Sequence, residues 1–441
     1  MRRLDRFDPT LRLLARVAGL GSGRGVLLRL LLVVSGVAAA GVQPTAPADA
    51  RGDAAQIAAS QIDTAQVDTS QIDAAVAAAL RGTGARGLAL AVIEAGRVVH
   101  VRAAGARNAA GEPLRTDTVM YGASLTKAAF AWMVMQLVDE GRLTLDRPIA
   151  GLLPQPLPDY GSPDGFAPWR DLAGDDRWRA LTPRILLTHA VGFANFAFVE
   201  PDGTLRFHFA PGSRYAYSGE GLILLQFVLQ EGLGLDVGAE MQRRVFDRFG
   251  MRRTGMTWRD DFAANLADGW TLEGAPVAHD ARSRVRAAGS MDTTIADMAR
   301  FAAAYVRGAG LSPTARAELT RPQRPITTAT QFPTLQPELP PAQRRADLAA
   351  GLGVIVFDGP QGPGFMKGGH DDITANIWVC LERPQRCVVI MANDARAEAA
   401  LPGLVEAILG PTGAPWRWEY GALRFWPAAA QALDGAPPAT P

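Results

Sequence analysis

The stretch Ser124-Leu125-Thr126-Lys127 precedes an almost continuous apolar run that reaches Val138. Such a run, closed by Asp139-Glu140-Gly141, predicts a buried helix that starts near Ser124 and ends at the glycine. Three residues make about one helical turn, so Ser124 and Lys127 are expected on the same face. The partial positive charge at a helix N-terminus stabilises an alkoxide and disfavours an ammonium. Both effects favour proton transfer from the Ser124 hydroxyl to a neutral Lys127 amine.

Lysine is rare in this chain. Of the 45 basic residues, 43 are arginine, and only Lys127 and Lys367 are lysine. The pKa of arginine, above about 12, prevents it from giving up a proton, whereas a buried lysine can become a neutral amine. The sequence therefore predicts a chemical role for both lysines. The alternative is that two surface lysines have survived by chance.

Lys367 is followed by Gly368-Gly369-His370, a segment predicted to precede a strand near the end of the sheet. Two glycines beside a lysine allow a substrate backbone to lie close against a strand. If the two lysines face one cleft about 6 Å apart, at an effective dielectric of about 20, their repulsion is about 3 kcal/mol. Together with partial burial, this repulsion brings Lys127 toward neutrality. Lys367 stays charged and anchors an anionic group of the substrate.

A tyrosine follows on a predicted loop. Tyr215-Ala216-Tyr217-Ser218-Gly219 comes after Pro211-Gly212 and before an apolar helix over residues 219–231. A tyrosine at the tip of a loop can shuttle a proton, because a nearby ammonium lowers its pKa from about 10. Tyr217 is therefore a candidate proton shuttle, and a structural tyrosine is the alternative.

At this point the chain resembles the serine β-lactamase and penicillin-binding-protein superfamily, in its class C and esterase-like branch. Three motifs carry the resemblance in the family's order: Ser124-Leu125-Thr126-Lys127, Tyr217-Ser218-Gly219 and Lys367-Gly368-Gly369. Two further segments are similar to structural signatures of the family: Leu186-Leu187-Thr188-His189-Ala190-Val191-Gly192 and Ala287-Ala288-Gly289-Ser290-Met291-Asp292-Thr293-Thr294. The resemblance covers about residues 74–410.

The resemblance implies a role for each matching residue. Ser124 would be the acylated nucleophile, with Lys127 and Tyr217 sharing general acid/base work. Lys367 would bind the substrate carboxylate. The implied oxyanion hole consists of the backbone N–H groups of Ser124 and His370, worth several kcal/mol in a transition state. The predicted substrate-binding set is Lys367, Gly368, Gly369 and His370.

Two positions depart from the family pattern. Gly219 stands where the second motif usually has an asparagine that binds a substrate amide, and Gly368 stands where serine or threonine is common. His370 could fill the anion-binding role of the branch that has His-x-Gly, but Asp372 occupies the glycine place. With fewer polar groups for a β-lactam or a peptide, an ester or a small amide is the favoured substrate.

The sequence thus predicts a serine hydrolase that forms an acyl-enzyme at Ser124, on small-molecule esters or amides or on peptidoglycan-like substrates. A D-alanyl carboxypeptidase or a weak β-lactamase is the first alternative. A non-catalytic sensor that binds β-lactams or peptidoglycan without turnover is the second. The net charge of +1 gives no basic surface for nucleic acid. We expect no cofactor, and no metal, because His370-Asp371-Asp372 has no second histidine-rich cluster to support it.

The order of predicted elements indicates the fold class. A helix over residues 73–80 is followed by strands over 87–93 and 97–103, and strands return over 353–357, 374–381 and 387–393. A helix over residues 399–409 follows. This pattern predicts an α/β fold of the β-lactamase/transpeptidase type: an antiparallel sheet from both ends of the domain, flanked by helices, with an inserted, mainly helical subdomain at about 150–310. Residues 311–350 are interpreted as a proline-rich connection.

The N-terminal region is typical of an export signal. Seven arginines lie within the first 29 residues, before an apolar stretch over residues 30–42 and small-residue cleavage sites. Thirteen apolar residues are short for a span of about 20, so a cleaved signal over residues 1–42 is favoured over an uncleaved anchor. The protein is therefore expected to be periplasmic or secreted.

The remaining segments complete the expected organisation. Residues 43–72 contain a five-residue repeat of small and polar residues and are interpreted as a linker. The serine hydrolase domain is placed at residues 73–410, and residues 411–441 form an aromatic tail that packs back on it. The only two cysteines, Cys380 and Cys387, fall on adjacent predicted strands. A cross-strand disulfide is one hypothesis, and two buried free thiols are the other.

Overall fold

A computed structural model describes residues 68–421 of the chain. It confirms the predicted fold class, with a large antiparallel sheet that takes strands from both ends of the domain and has helices packed against it. The predicted export signal at residues 1–42 lies outside the described residues. So do most of the predicted linker and the tail beyond residue 421.

Nine α-helices occur within residues 68–421, most of them in the middle of the chain. They are α1 (Thr69–Thr83), α2 (Leu125–Asp139), α3 (Pro183–Leu187), α4 (Gly219–Leu233), α5 (Val237–Met241), α6 (Ile295–Arg307), α7 (Pro313–Thr320), α8 (Leu401–Leu409) and α9 (Trp416–Tyr420). Single turns of 3₁₀ helix fill many of the connections. The part of the chain described here has no single helix with the length and apolar character of a membrane span. A bent pair, Gly219–Leu233 with Val237–Asp247, meets that test by length and composition.

Twelve strands lie in the same described range. They are β1 (Gly87–Glu94), β2 (Arg97–Gly105), β3 (Met120–Tyr121), β4 (Gly269–Trp270), β5 (Pro276–Val277), β6 (Asp292–Thr293), β7 (Arg324–Pro325), β8 (Leu348–Ala350), β9 (Ile355–Gly359), β10 (Gly362–His370), β11 (Ala375–Leu381) and β12 (Arg386–Ala392). Eight of them form the main sheet, in the order β2-β1-β12-β11-β10-β9-β8-β7. N-terminal and C-terminal strands therefore meet at the β1–β12 pair.

The register between β11 and β12 determines whether the two cysteines can form a disulfide. Cys380 lies directly opposite Cys387, with their Cα atoms 4.1 Å apart, and the two sulfurs are bonded. Residues directly opposite one another across antiparallel strands have neighbouring Cβ atoms, which is the geometry that a cross-strand disulfide needs. The hypothesis of a disulfide is confirmed.

Helix α2 is the central element of the core. Every residue from Leu125 to Leu137 is buried, as expected for a helix that is apolar on all sides. The ring of Trp132 lies 4.8 Å from that of Tyr305 on α6, and the Tyr305 ring lies 4.8 Å from that of Trp378 on β11. These aromatic contacts link the helix to the sheet. The N-terminus of α2 is therefore held on a rigid base.

Three regions differ from the sequence-based expectation. The segment that begins at Lys367 does not precede a strand but forms the second half of β10, because pairing with β11 overrides the low strand propensity of its glycines. Helix α1 begins at Thr69, inside the predicted linker, because Ile72 and Val76 bury one face of it. The predicted connection over residues 311–350 contains α7, β7 and β8.

The tail adds a last helix to the domain. Trp416, Trp418 and Tyr420 of α9 are at most 4% exposed, and so is Glu419 between them. The Trp418 ring lies 5.8 Å from that of Tyr215, on the loop that carries the predicted tyrosine motif. The tail thus brings new side chains to the region of the predicted site.

Candidate active site

The chain makes a tight turn immediately before the predicted nucleophile. Ala123 has φ +46°, in the left-handed region that a residue with a Cβ rarely adopts. The turn is held from both sides, since the Gly122 N–H donates to Met291 O and the Thr126 hydroxyl donates to Ala123 O. Such backbone strain persists only where the surrounding structure enforces it. Ser124 therefore sits in a fixed position at the N-terminus of α2.

Three predicted catalytic side chains meet at this turn. Lys127 Nζ lies 2.8 Å from Ser124 Oγ, and Tyr217 Oη lies 2.7 Å from the same oxygen. Ser124 is partly exposed, whereas Lys127 and Tyr217 are 1% and 5% exposed. The serine hydroxyl can thus meet a substrate while both of its polar partners stay shielded from water.

The environment of Lys127 favours the neutral amine. Its Nζ donates to the backbone carbonyl of Ala288 and to Ser124 Oγ. Once the amine is neutral, its lone pair can instead accept the proton of the Ser124 hydroxyl. Burial lowers the pKa of Lys127 well below the usual value, and the nearby Lys367 lowers it further. The sequence argument placed the repulsion between the two lysines first, but burial is the larger cause.

The expectation for the pKa of Tyr217 is wrong in direction. Burial raises the pKa of this phenol, and the carboxyl of Glu419 raises it further, while the hydrogen bond with Ser124 opposes the change. Tyr217 is therefore a protonated phenol that can donate a hydrogen bond to Ser124 Oγ. Proton relay through the phenol stays consistent with the geometry, but action as a phenolate base does not.

His189 supports Tyr217 from behind. Its imidazole stacks on the Tyr217 ring with the centroids 4.4 Å apart, and its Nδ1 lies 3.1 Å from the backbone nitrogen and oxygen of Ser218. Burial and both lysines lower the pKa of His189 well below its usual range, so the ring is neutral. The sequence alone predicts no catalytic role for His189. Its position within the segment over residues 186–192 was the available signal for a role near the site.

Lys367 enters the same cleft from β10. The amines of Lys127 and Lys367 lie 5.0 and 5.3 Å from the centroid of the Tyr217 ring. The structure thus brings together the two lysines of the sequence, as predicted. Burial lowers the pKa of Lys367 to about 8, against the opposing effect of Glu419. Lys367 keeps much more of its positive charge at neutral pH than Lys127 does.

The two glycines after Lys367 fit tight spaces on opposite sides of the strand. A Cβ on Gly369 would lie 3.0 Å from Gly122 O and 3.1 Å from Leu125 N, so glycine lets β10 pass close to the start of α2. A Cβ on Gly368 would collide with Glu419 Oε1. Close backbone approach is therefore the reason for glycine at position 369, whereas at position 368 the Glu419 carboxyl takes the space of a side chain.

His370 ends β10 among aromatic and acidic neighbours. Its ring centroid is 5.8 Å from that of Phe332, and its Nδ1 is 3.9 Å from Glu398 Oε1. Burial, Lys367 and Lys127 lower the pKa of His370 to about 4, so the imidazole is neutral at pH 7. The implied oxyanion role of its backbone N–H stays a prediction.

Other observations limit the chemistry of the site. The described part of the chain holds no group of three histidine, cysteine, aspartate or glutamate residues that could bind a metal ion. Gly219 lies under the ring of Phe196, where a Cβ would collide, and its N–H donates to Asn195 Oδ1 at 2.9 Å. An aromatic ring thus covers the position where the second motif of the resemblance usually has asparagine.

Sequence reasoning missed Glu419 altogether. The residue is 50 positions or more from the nearest motif, and no pattern in the tail predicts that α9 returns to β10. Its buried carboxyl acts electrostatically on Lys367 and on Tyr217. Only the folded chain reveals it as a residue of the site.

Comparisons with known proteins agree with this geometry. A lovastatin esterase from Penicillium rubens is 28% identical over 200 residues, which are 39% of this chain and 49% of the relative. Esterase EstB from Burkholderia gladioli is 30% identical over 195 residues, 40% of this chain and 48% of the relative. The chain spans about half the length of these two relatives.

A solved structure shares the fold at low identity. The octameric penicillin-binding protein homologue from Pyrococcus abyssi superposes with a TM-score of 0.62 at 18% identity, over 78% of each chain. The family model described as Beta-lactamase matches residues 72–409, which include the serine–lysine turn, the tyrosine loop and the glycine-rich strand. A match that spans the whole described sheet establishes that this chain belongs to the Beta-lactamase family.

Proposed function

We propose that this protein is a serine hydrolase that forms an acyl-enzyme at Ser124, with esters as its main substrates. One observation carries the proposal: Ser124 Oγ lies within hydrogen-bond distance of both Lys127 Nζ and Tyr217 Oη. A nucleophile in contact with a base, which is itself held by a third group, is the arrangement that activates a hydroxyl. Here the third group is the carbonyl of Ala288.

In the acylation step, the neutral Lys127 amine takes the proton of the Ser124 hydroxyl as Oγ attacks the substrate carbonyl carbon. The carbonyl π electrons move to oxygen and give a tetrahedral oxyanion. When the intermediate collapses, the bond to the alcohol oxygen breaks, and that oxygen receives the proton from the Lys127 ammonium, directly or through the Tyr217 phenol. Ser124 is left as an ester of the acyl group. The burial of Lys127 and Tyr217 supports these transfers, because both groups exchange protons away from bulk water.

In the deacylation step, the same groups act on water. Lys127 takes a proton from a water molecule that attacks the acyl carbon, and the resulting intermediate expels Ser124 Oγ. The proton returns to Oγ through Tyr217 or Lys127, and a carboxylic acid leaves. The overall reaction consumes one water and restores every side chain to its starting state.

Esters are favoured over amides and β-lactams for two reasons. Phe196 covers Gly219, so the site offers an apolar surface where an asparagine would bind a substrate amide. Phe196 also stacks on Phe198, which is 52% exposed, and the pair extends the apolar surface outward. The two partial relatives named as esterases support the same choice.

Export forms part of the proposal. The arginine-rich start and the apolar stretch over residues 30–42 support translocation, and the Cys380–Cys387 disulfide is consistent with an oxidising compartment. Expression of the full chain in a Gram-negative host, followed by fractionation and N-terminal sequencing, tests both location and cleavage. Recovery of the uncleaved chain in the cytosol would contradict the proposal.

The activity is tested by turnover of p-nitrophenyl butyrate beside a chromogenic cephalosporin. We expect Ser124-dependent hydrolysis of the ester, and a fall of about 10⁴-fold or more in kcat/KM in Ser124→Ala, because the nucleophile is lost. Ser213→Ala is the matched control, since Ser213 is exposed on the loop before the tyrosine motif. Fluorophosphonate labelling with peptide mapping locates the acylated residue.

Three other results would contradict the proposed function. Faster turnover of the cephalosporin than of the ester would favour a β-lactamase. Stoichiometric acylation without turnover of either substrate would favour a sensor. Ester hydrolysis that survives in Ser124→Ala would refute the nucleophile.

A further inference from the structure

The C-terminal helix α9 places a carboxyl group against the strand that carries Lys367. Glu419 is 4% exposed, and its Oε2 accepts a hydrogen bond of 2.9 Å from Gln331 Nε2. Its Oε1 is buried and has no hydrogen-bond partner within the described part of the chain. A Cβ on Gly368 would collide with this oxygen. The glycine and the carboxyl thus fit one another across the edge of the site.

We propose that Glu419 is a specificity-determining residue: its Oε1 fills the space beside Gly368, the residue after Lys367, and thereby selects substrates whose acyl part is uncharged. The proposal rests on the proposed ester hydrolysis at Ser124 and names the substrate class for it. It replaces the expectation from family resemblance that Lys367 binds a carboxylate of the substrate.

Lys367 and Glu419 act on one another electrostatically. Lys367 lowers the pKa of Glu419 against the effect of burial, and Glu419 raises the pKa of Lys367 against the same effect. In this proposal Glu419 is ionised when Lys367 is charged, so the pair has no net charge. A substrate carboxylate would then enter a buried place whose positive charge is already balanced.

Three neighbouring titratable groups do not favour a second positive charge. His370, whose Nδ1 is 3.9 Å from Glu398 Oε1, is neutral at pH 7 because its pKa is lowered to about 4. Burial raises the pKa of Glu398 to about 8. Burial lowers the pKa of Lys127 well below its usual value and so disfavours a charge there. Lys367 is thus the cation that an anionic substrate would need. Its Nζ donates to Gly368 O at 2.7 Å, and Glu419 Oε1 lies beside that same residue.

The position of Oε1 also explains the departure at residue 368. A serine or threonine there would offer a hydroxyl that can donate a hydrogen bond to a substrate carboxylate. In this chain the space of that side chain is filled by an oxygen of Glu419. A carboxylate oxygen accepts hydrogen bonds but repels another carboxylate. The replacement of that hydroxyl by a carboxylate oxygen changes the substrate preference beside Gly368 from anionic to uncharged groups.

The test compares two esters with the same leaving group and an acyl chain of the same length. p-Nitrophenyl butyrate is uncharged, and mono-p-nitrophenyl succinate has a terminal carboxylate. We expect the wild type to prefer the butyrate. Glu419→Gln should raise the ratio of kcat/KM for the succinate to kcat/KM for the butyrate by about tenfold, or about 1.4 kcal/mol. The glutamine keeps an oxygen for Gln331, and thermal melting checks its fold.

Two further variants sharpen the test. Glu419→Ala removes the side chain and should shift the ratio of the two kcat/KM values in the same direction. Glu273→Gln removes one negative charge at an exposed turn between β4 and β5 and should leave the ratio unchanged. An unchanged ratio in both folded Glu419 variants would overturn the proposal.

A second readout does not depend on turnover. Intact mass spectrometry follows Ser124 labelling by an uncharged fluorophosphonate and by benzylpenicillin, which has a carboxylate. Faster penicillin labelling in Glu419→Gln supports the role of Glu419 even if no ester is turned over, in which case only the proposed hydrolase function fails. Equal labelling ratios in wild type and variant would refute the role of Glu419 alone. No labelling of Ser124 by either reagent would refute both proposals.

Discussion

The surroundings of Lys127 and Lys367 differ more than their burial does. Both side chains are at most 4% exposed. Their amines lie 5.0 and 5.3 Å from the centroid of the Tyr217 ring. Lys127 stands among neutral hydrogen-bond partners, the Ser124 hydroxyl and the carbonyl of Ala288. Lys367 also donates to a neutral partner, the carbonyl of Gly368, but the carboxyl of Glu419 acts on it electrostatically.

This difference assigns opposite tasks to one kind of side chain. Burial without a counter-charge disfavours the ammonium, so Lys127 becomes a base. Burial beside a carboxyl retains part of the positive charge, and the pKa of Lys367 falls only to about 8. The residue type allows both states, and the neighbouring charges choose between them.

The largest expected effect comes from replacing Lys127 by arginine, and the same replacement of Lys367 is the comparison. Lys127→Arg should lower kcat/KM for a p-nitrophenyl ester by about 10²–10⁴-fold, as much as Lys127→Ala does, because arginine cannot act as the base. Lys367→Arg keeps a charged partner for Glu419 and should lower kcat/KM far less than Lys127→Arg does. Steady-state kinetics on the four proteins, including wild type, measures the comparison. Substantial activity in Lys127→Arg would end the base assignment.

A second, smaller effect concerns pH. Activity requires neutral Lys127, so kcat/KM rises as the pH passes upward through the pKa of this amine. Lys367→Met removes a nearby positive charge, which raises the pKa of Lys127 and moves the acidic limb of the pH profile to higher pH. At a pH on this acidic limb we expect a fall of about tenfold, or about 1.4 kcal/mol of transition-state free energy.

The charge-preserving variant is the control for this experiment. In Lys367→Arg the positive charge stays, so the acidic limb should stay near its wild-type position. A limb that moves equally in the methionine and arginine variants would mean that packing, rather than charge, couples the two sites.

The smallest effect is expected at His189, which positions Tyr217 without contacting Ser124. His189→Ala removes the stacked ring and the polar contact with Ser218, and should lower kcat by about fivefold with little change in KM. His189→Asn retains a polar atom near the place of Nδ1 and tolerates the left-handed backbone at φ +54°, so it should recover part of the loss. Equal kcat values in the two variants would argue against a positioning role.

Several features of the molecule followed from local sequence. The apolar residues after Ser124 predicted helix α2, and the spacing of three residues placed Lys127 on the face of the nucleophile. Strand-like runs at both ends of the domain predicted the antiparallel sheet. Strand β10 could not be predicted in the same way, because its glycines and Pro363 disfavour a strand until β11 pairs with them.

By itself, then, the sequence determined which groups could react: a hydroxyl, a loop tyrosine and two rare amines, each readable from residue type and short-range spacing. Only the tertiary structure decided their charge states. The raised pKa of Tyr217, the approach of Glu419 to Gly368 and the neutrality of Lys127 depend on desolvation and on charges contributed by distant segments. Burial and long-range contact have no local sequence pattern, because they arise when the ends of the chain fold back on one another.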